Sequence, residues 1–405
     1  MSEKITRRTA LLTGSAIAAA GVFAPTILHA AEPINVGSLT PNTGGGGPFG
    51  PKITASHKRV VDLVNSQGGV LGRQINLLQE NSETNPETSV RAADKLINVN
   101  KVVGILGTWS SSVTLGIMPK CQEAGVIQMC TSSSSSIPVR DKKGLVFNFQ
   151  ALSPVWGRAI GSLALRRGFK TFTLMALNND FTRSMMDGFT EVVGKDKLLQ
   201  DSFYYNGGQS SYRSEVTQLI AKNPEAVFIP SYVTDFTSVY KEIFRQGYEG
   251  QVISVSIATG SKFKKAVGDA ANGIIHGLPV PPIKSPAYAQ YVTEADLSDN
   301  GGVQHPFGTA GRDQMSVLLM AIEKAGSTDT AKVSKAIWEI TTGSGKETVY
   351  NITDGLKAIR AGKSINYSGA SSSVEFDDEG MVLGRDFQLA EIKDGKDVVI
   401  ERLEF

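Results

Sequence analysis

The apolar positions of this chain follow two alternating patterns. Short runs without polar alternation, such as Val102 to Leu106 and Val126 to Met129, suit strands buried on both faces. Between them lie amphipathic stretches of roughly 10–14 residues with helical spacing. The first is the clearest. Ile53, His57, Val60, Val61 and Val64 share one helix face, and Gln67-Gly68-Gly69 supplies a left-handed stop. The pattern predicts strands at 33–39, 75–79, 102–106, 126–129 and 146–149, with helices after the first three. A second series starts near Ser153-Pro154, with helices at 154–167, 182–193, 211–222 and 235–246 and strands at 172–176, 202–205, 226–229, 252–255 and 274–278.

Strands alternating with helices mean βαβ units on a parallel sheet. Two such series predict an α/β protein with two doubly wound, Rossmann-like lobes. After the stiff Pro279-Val280-Pro281-Pro282, helices are expected at 286–298, 308–325, 330–340 and 353–361. Tail strands are expected at 374–376, 385–392 and 397–402, with a hairpin turn at Asp394-Gly395. The chain therefore reads as a leader (1–31), a first lobe (32–152 with 281–373) and a second lobe (153–280 with 374–405).

The leader changes the picture of where the protein works. Lys4, Arg7 and Arg8 precede the small apolar run Ala10 to Ala24, which is too short to span a bilayer. A small residue follows at Ala30 or Ala31, as at a signal-peptide cleavage point. Thr6-Arg7-Arg8-Thr9-Ala10-Leu11 partly matches a twin-arginine signal, although Ala10 stands where a bulkier residue is usual; the general export route is the alternative. A periplasmic location is expected, with no later span and no lipid-anchoring cysteine.

The 41% apolar and 20% charged content is ordinary for a globular protein, and a net charge of +2 with no basic aromatic patch argues against nucleic acid. The two cysteines, Cys121 and Cys130, fit no zinc spacing. They read as small buried residues, with a disulfide as the alternative. No cofactor or metal is expected, and a monomer is assumed.

Candidate chemistry concentrates in two hydroxyl-rich loops. Ser110 to Ser112 follow one buried strand and Ser132 to Ser136 follow the next. Ligands of open α/β sheets sit outside the carboxyl ends of strands. A helix start there offers free backbone N–H groups to an anion. The pair of loops reads as a cradle for a carboxylate; the plainer alternative is helix caps and solvated filler.

These features resemble a known family. Gly37-Ser38-Leu39-Thr40 with Phe49-Gly50, Val61 to Asn65, Gly68 to Gly72, Ser110-Ser111-Ser112, Gly311-Arg312-Asp313 with Ala321 to Gly326, and Ile365 to Ala370 with Phe376-Asp377 are similar, in order and spacing, to periplasmic solute-binding proteins of the branched-chain amino acid type. The resemblance covers nearly all of residues 33 to 402. It implies two lobes joined by three crossovers, closing on a ligand and then read by a membrane permease of an ABC importer. Its ligand contacts fall on Ser110, Ser132 and Ser134, with Ser111 beside them, and its mouth aromatic on Phe49. In the second lobe its aromatic lid falls on Phe181 and its ammonium-side tyrosine on Tyr232. The acidic residue that meets an ammonium falls near Ser256, a departure; Asp180 and Asp235 lie on neighbouring loops and could substitute.

An exported hydrolase is the competing class. The chain has no Gly-x-Ser-x-Gly elbow or zinc-protease motif, and its four histidines sit in no triad context. A ligand sensor that reports to a membrane receptor remains a further alternative. Neutral amino acids are expected first as ligands, aromatic or hydroxy acids second, and amides or urea third.

Overall fold

The computed structural model describes residues 32–297, 306–383 and 386–403. The leader, His305 and the end of the 286–298 helix lie outside the described residues.

The first series runs β1 (Ile34–Thr40), α1 (Gly50–Ser66), β2 (Ile75–Asn81), α2 (Pro86–Asp94), β3 (Gly104–Thr108), α3 (Ser111–Ala124), β4 (Ile127–Cys130), α4 (Ser136–Arg140) and β5 (Val146–Asn148). Its strands pair in the order β2-β1-β3-β4-β5, all parallel. The face expected for α1 is the buried one, His57 included. The helix stops where Gly69 N–H donates to the Val64 carbonyl, with Gly68 and Gly69 at positive φ.

The second series runs α5 (Ser153–Arg166), β6 (Phe172–Leu177), α6 (Asp180–Val193), β7 (Phe203–Tyr205), α7 (Arg213–Ile220), β8 (Ala226–Phe228), α8 (Val233–Arg245), β9 (Gln251–Val255), α9 (Ser261–Val267) and β10 (Ile275–Pro279). The chain then returns to the first core through α10 (Pro286–Glu294), α11 (Pro306–Ala325), α12 (Thr330–Thr341), β11 (Glu347–Val349), α13 (Ile352–Arg360) and β12 (Ile365–Tyr367). A closing hairpin, β13 (Phe387–Lys393) and β14 (Lys396–Leu403), completes the second sheet. Among the described residues that sheet has the order β14-β13-β10-β9-β8-β6-β7. β13 and β14 are antiparallel to their neighbours. Asp394 and Gly395 turn the hairpin at positive φ, as the pair predicts.

The run at 374–376 is not a tail strand of the second sheet. Val374, Phe376 and Val382 pack into the first core. Asn148 N–H donates to the Gly380 carbonyl and Val382 N–H donates to the Asn148 carbonyl, so this segment lies along the open edge of β5. The short elements α4, α9, β11 and β12 escaped the periodicity because each is under two turns of helix or only three residues of strand.

α11 is buried at every position from Pro306 to Ile322, packed among α1, α12, α13 and β3. It carries the Gly-Arg-Asp motif into the core. The Arg312 guanidinium grips Glu294 through two bonds, Nε to Oε2 at 2.7 Å and Nη2 to Oε1 at 2.9 Å. Asp313 accepts from Tyr367 Oη at 2.7 Å, Ala370 N–H at 3.0 Å and Ser371 N–H at 2.6 Å. A Cβ at Gly369 would stand 2.4 Å from Asp313 Oδ2, so only glycine lets the chain come this near. The two separate sequence motifs are thus one buried polar network.

Cys121 and Cys130 are free and buried, and burial pushes both thiols up to about 12. That environment makes them unreactive packing residues, and the disulfide alternative falls.

Candidate functional site

The two hydroxyl-rich loops lie together at the carboxyl ends of β3 and β4, and the Ser111 and Ser132 hydroxyls bridge between them. Ser111 Oγ accepts from the N–H groups of Ser133 and Ser134, both at 3.1 Å. Ser132 Oγ sits 2.6 Å from Thr114 Oγ1 and 3.2 Å from the Trp109 carbonyl. Ser134 Oγ accepts from Ser136 N–H at the start of α4. The Ser111 and Ser132 hydroxyls knit one loop to the other, and Ser134 braces its own loop at the start of α4.

What faces the gap is different. One cavity is walled by Trp109, Thr131, Ser133 and Phe307 from the first lobe and by Trp156, Phe181, Tyr232 and Ile257 from the second. The space among them is about 10 Å³, near the size of one water-sized probe. The lobes are shut on each other through rings. Trp109 and Tyr232 meet across the gap at 5.0 Å between centroids. Phe49 stacks behind Trp109 at 5.4 Å and also touches Phe307 at 4.9 Å. On the other side Phe181 lies nearly parallel to Tyr232 and edge-on to Trp156. Burial raises the Tyr232 phenol far above its ordinary range, the Ser110 hydroxyl being its hydrogen-bond partner. At the rim, Ser112 Oγ donates to Asp180 Oδ2 at 2.6 Å, a second bond between the lobes.

Thr131 and Ser133 are the hydroxyl-bearing aliphatic residues of this wall. Thr131 is 2% exposed, and its Oγ1 is buried without a hydrogen-bond partner among the described residues. Unpaired buried hydroxyls are rare because the lost water bond is not replaced. Ser110 begins α3 without a side-chain cap on the helix N–H groups, which leaves that end to another acceptor.

The sequence-predicted residues therefore separate. Phe181 and Tyr232 line the cavity, Phe49 backs Trp109, and Ser110 bonds Tyr232. Asp180 stands at the rim. Ser256 turns away: its Oγ lies 2.5 Å from His276 Nδ1, and Ile257, one residue on, takes the wall position. The cause is the turn that follows β9, where Ser256 N–H still bonds the Gly277 carbonyl and the chain then bends so that Ala258 N–H reaches the Val255 carbonyl. Asp235 also points elsewhere. Its Oδ1 accepts from Tyr212 Oη at 2.6 Å and Gly208 N–H at 2.8 Å, fixing the loop after β7.

Sequence reasoning missed Trp109, Thr131, Trp156 and Phe307. Trp109 and Thr131 were within reach, because each immediately precedes or opens one of the serine runs. Phe307 carried no signal, arriving on α11 from far along the chain.

The glycine-rich loop before α1 closes over these rings. A Cβ at Gly45 would stand 2.6 Å from the Tyr232 ring, and one at Gly46 would stand 2.7 Å from the Trp109 ring. Gly45→Val should hold the lobes apart at this seam, since overpacking here costs about 1–3 kcal/mol. Small-angle scattering should show a larger radius of gyration than wild type, with unchanged far-ultraviolet circular dichroism.

Two α/β lobes that share the walls of one cavity define the architecture of the extracytoplasmic binding proteins. A family model described as periplasmic binding protein matches residues 33–397, and the chain belongs to that family. A substrate-binding protein of a chemotactic signal transduction system from Halobacterium salinarum is 25% identical over 372 residues, covering 85% of this chain and 84% of the relative. A leucine-binding protein from Thermotoga maritima matches in structure with a TM-score of 0.74 at 19% identity, covering 91% of this chain and 98% of that one. A solute-binding protein of an ABC transporter from R. palustris, solved with benzoate, matches with a TM-score of 0.71 at 18% identity, covering 91% and 96%. Membership in the family implies a place outside the cytoplasm and a role in binding small molecules.

Proposed function

We propose that the protein captures a small carboxylate-bearing solute between its lobes and hands it to an ABC permease. The lobes are taken as 32–152 with 281–383 and 153–280 with 386–403, and the leader 1–31 as the export signal. One observation carries the reading: the cavity takes four wall residues from each lobe, so capture and closure are one event. Contacts made only in the closed form then shift the population toward it. Thr131 Oγ1, Ser133 and the uncapped start of α3 are the groups that meet the acid; Ser111, Ser132 and Ser134 position them. The protein performs no chemistry on its ligand.

A thermal-shift screen of leucine, benzoate, lactate and urea at millimolar dose tests the capture. A tight ligand raises apparent stability by RT ln(1 + [L]/Kd). For whichever probe binds, Ser110→Ala combined with Thr131→Val should weaken affinity at least about tenfold by calorimetry, since each bond to a charged group contributes roughly 1.5–3 kcal/mol. Unchanged affinity removes this cavity from the function. The chemotactic relative favours a second reading, in which the closed form reports to a membrane receptor. Loss of labelled-ligand uptake in a deletion strain would decide for transport.

A further inference from the structure

We infer that the shared cavity selects a carboxylic acid with an aromatic body and no amino group. The inference deepens the capture reading and rests on it.

The wall composition sets the body of the ligand. Trp109, Trp156, Phe181, Tyr232 and Phe307 supply five rings, and Ile257 completes the apolar surface. The Phe181 and Tyr232 planes lie within 14° of each other, and Phe49 stacks on Trp109 within 25°. These rings pack on one another while the gap is shut; once the lobes part, an arriving flat ring can take up the same offset-stacked and edge-to-face contacts, which add to area burial and favour it over a branched aliphatic chain.

The charge pattern sets what the body carries. An α-ammonium buried here needs a carboxylate partner, since an unpaired buried charge is costly. Among the described residues, no carboxylate lines the cavity. Asp235 is turned into the loop after β7, held by Tyr212 and Gly208. Asp180 stays at the rim, bonded to Ser112. Where the end of β9 meets the wall, the residue is Ile257. The polar part of the cavity wall suits an anion. Among the described residues Thr131 Oγ1 is buried and unpartnered, Ser133 lines the same cavity, and α3, a helix of 14 residues, has Ser110 at its N-cap without a side-chain cap. The benzoate-bound neighbour from R. palustris is consistent with this polarity.

Matched pairs that differ only in the amino group test it. The full mature chain is titrated by calorimetry with 3-phenylpropionate against phenylalanine, 4-methylpentanoate against leucine, and benzoate alone. Tryptophan emission is followed in parallel, because Trp109 and Trp156 line the cavity and Trp338 does not. Benzoate or 3-phenylpropionate should bind, and 3-phenylpropionate should bind at least tenfold tighter than phenylalanine. Thr131→Val should weaken the aromatic acid at least tenfold with its melting temperature unchanged. Tighter binding of leucine or phenylalanine than of its amino-free partner overturns the inference and leaves the capture reading standing. An unchanged affinity in Thr131→Val overturns the placement of the acid. Binding of none of the five compounds, with no change in emission, overturns the inference; a response to lactate or urea in the thermal screen would still leave capture intact, and silence there too would remove both.

Discussion

Asp313→Ala should lower stability by about 3–5 kcal/mol, the cost of removing one partner from a buried charge network. Asp313 is fully buried, and its two oxygens accept from Tyr367 Oη and from the N–H groups of Ala370 and Ser371. Alanine removes the carboxylate that these buried donors share, and a buried donor that loses its acceptor carries a desolvation penalty. It also leaves Arg312, 3.8 Å from the lost carboxylate, with Glu294 as its remaining carboxylate contact. Asp313→Asn keeps the shape but turns an amide donor toward one of those N–H groups. It should cost less than alanine, about 2 kcal/mol. Urea titration of the three proteins gives the ordering directly. A loss below about 1 kcal/mol in Asp313→Ala would show that water reaches the site and that the network is not sealed.

Stability should also fall by about 3 kcal/mol as pH drops from 6.5 to 4, through one histidine. His57 lies fully buried, with Ser38 Oγ 2.9 Å from Nδ1 and Gln314 Oε1 3.3 Å from Nε2. Burial lowers its pKa from 6.5 to about 4, against a smaller opposing effect of Gln314. The direction follows from proton counting. Between these two values the unfolded chain takes up a proton that the folded chain refuses, so acid favours unfolding. The contribution is complete above pH 6.5 and is lost as pH falls toward 4. His57→Gln keeps a polar group for Ser38 or Gln314 but cannot titrate. Its denaturation free energy should vary much less with pH across this window than the wild type's. Equal slopes in the two proteins would mean that His57 gains its proton inside the fold.

Much of the architecture was legible because it depends on local rules. Buried strands without alternation, the apolar face of α1 and the Asp394-Gly395 turn each follow from neighbouring residues. The segment 374–382 was not legible, because its partner is the edge of β5, more than two hundred residues earlier, and no local pattern records that. The site divides the same way. Tyr232 and Phe181 could be placed by resemblance, while Ser256 and Ile257 could not be told apart. Both lie in the turn after β9, where one residue along the chain decides which side chain faces the gap. The serines were visible as a cluster, yet the Ser111 and Ser132 hydroxyls join the loops, those of Ser110 and Ser112 bond the second lobe, and the wall hydroxyl left unpaired among the described residues belongs to Thr131. A sequence shows which polar groups are near one another but not which remain unmatched.

The burial of α11 has a consequence for the order of assembly. Strands β6 to β10 are contiguous, so a nascent chain can bring them together soon after they emerge. The first sheet is made earlier, but its core lacks α11 until the whole of that later stretch has been synthesised. Long-range closure of this kind is slow and leaves apolar faces bare meanwhile. The half of the molecule translated first therefore waits for chain made after the parallel strands of the other half, and for that interval it depends on protection from other chains.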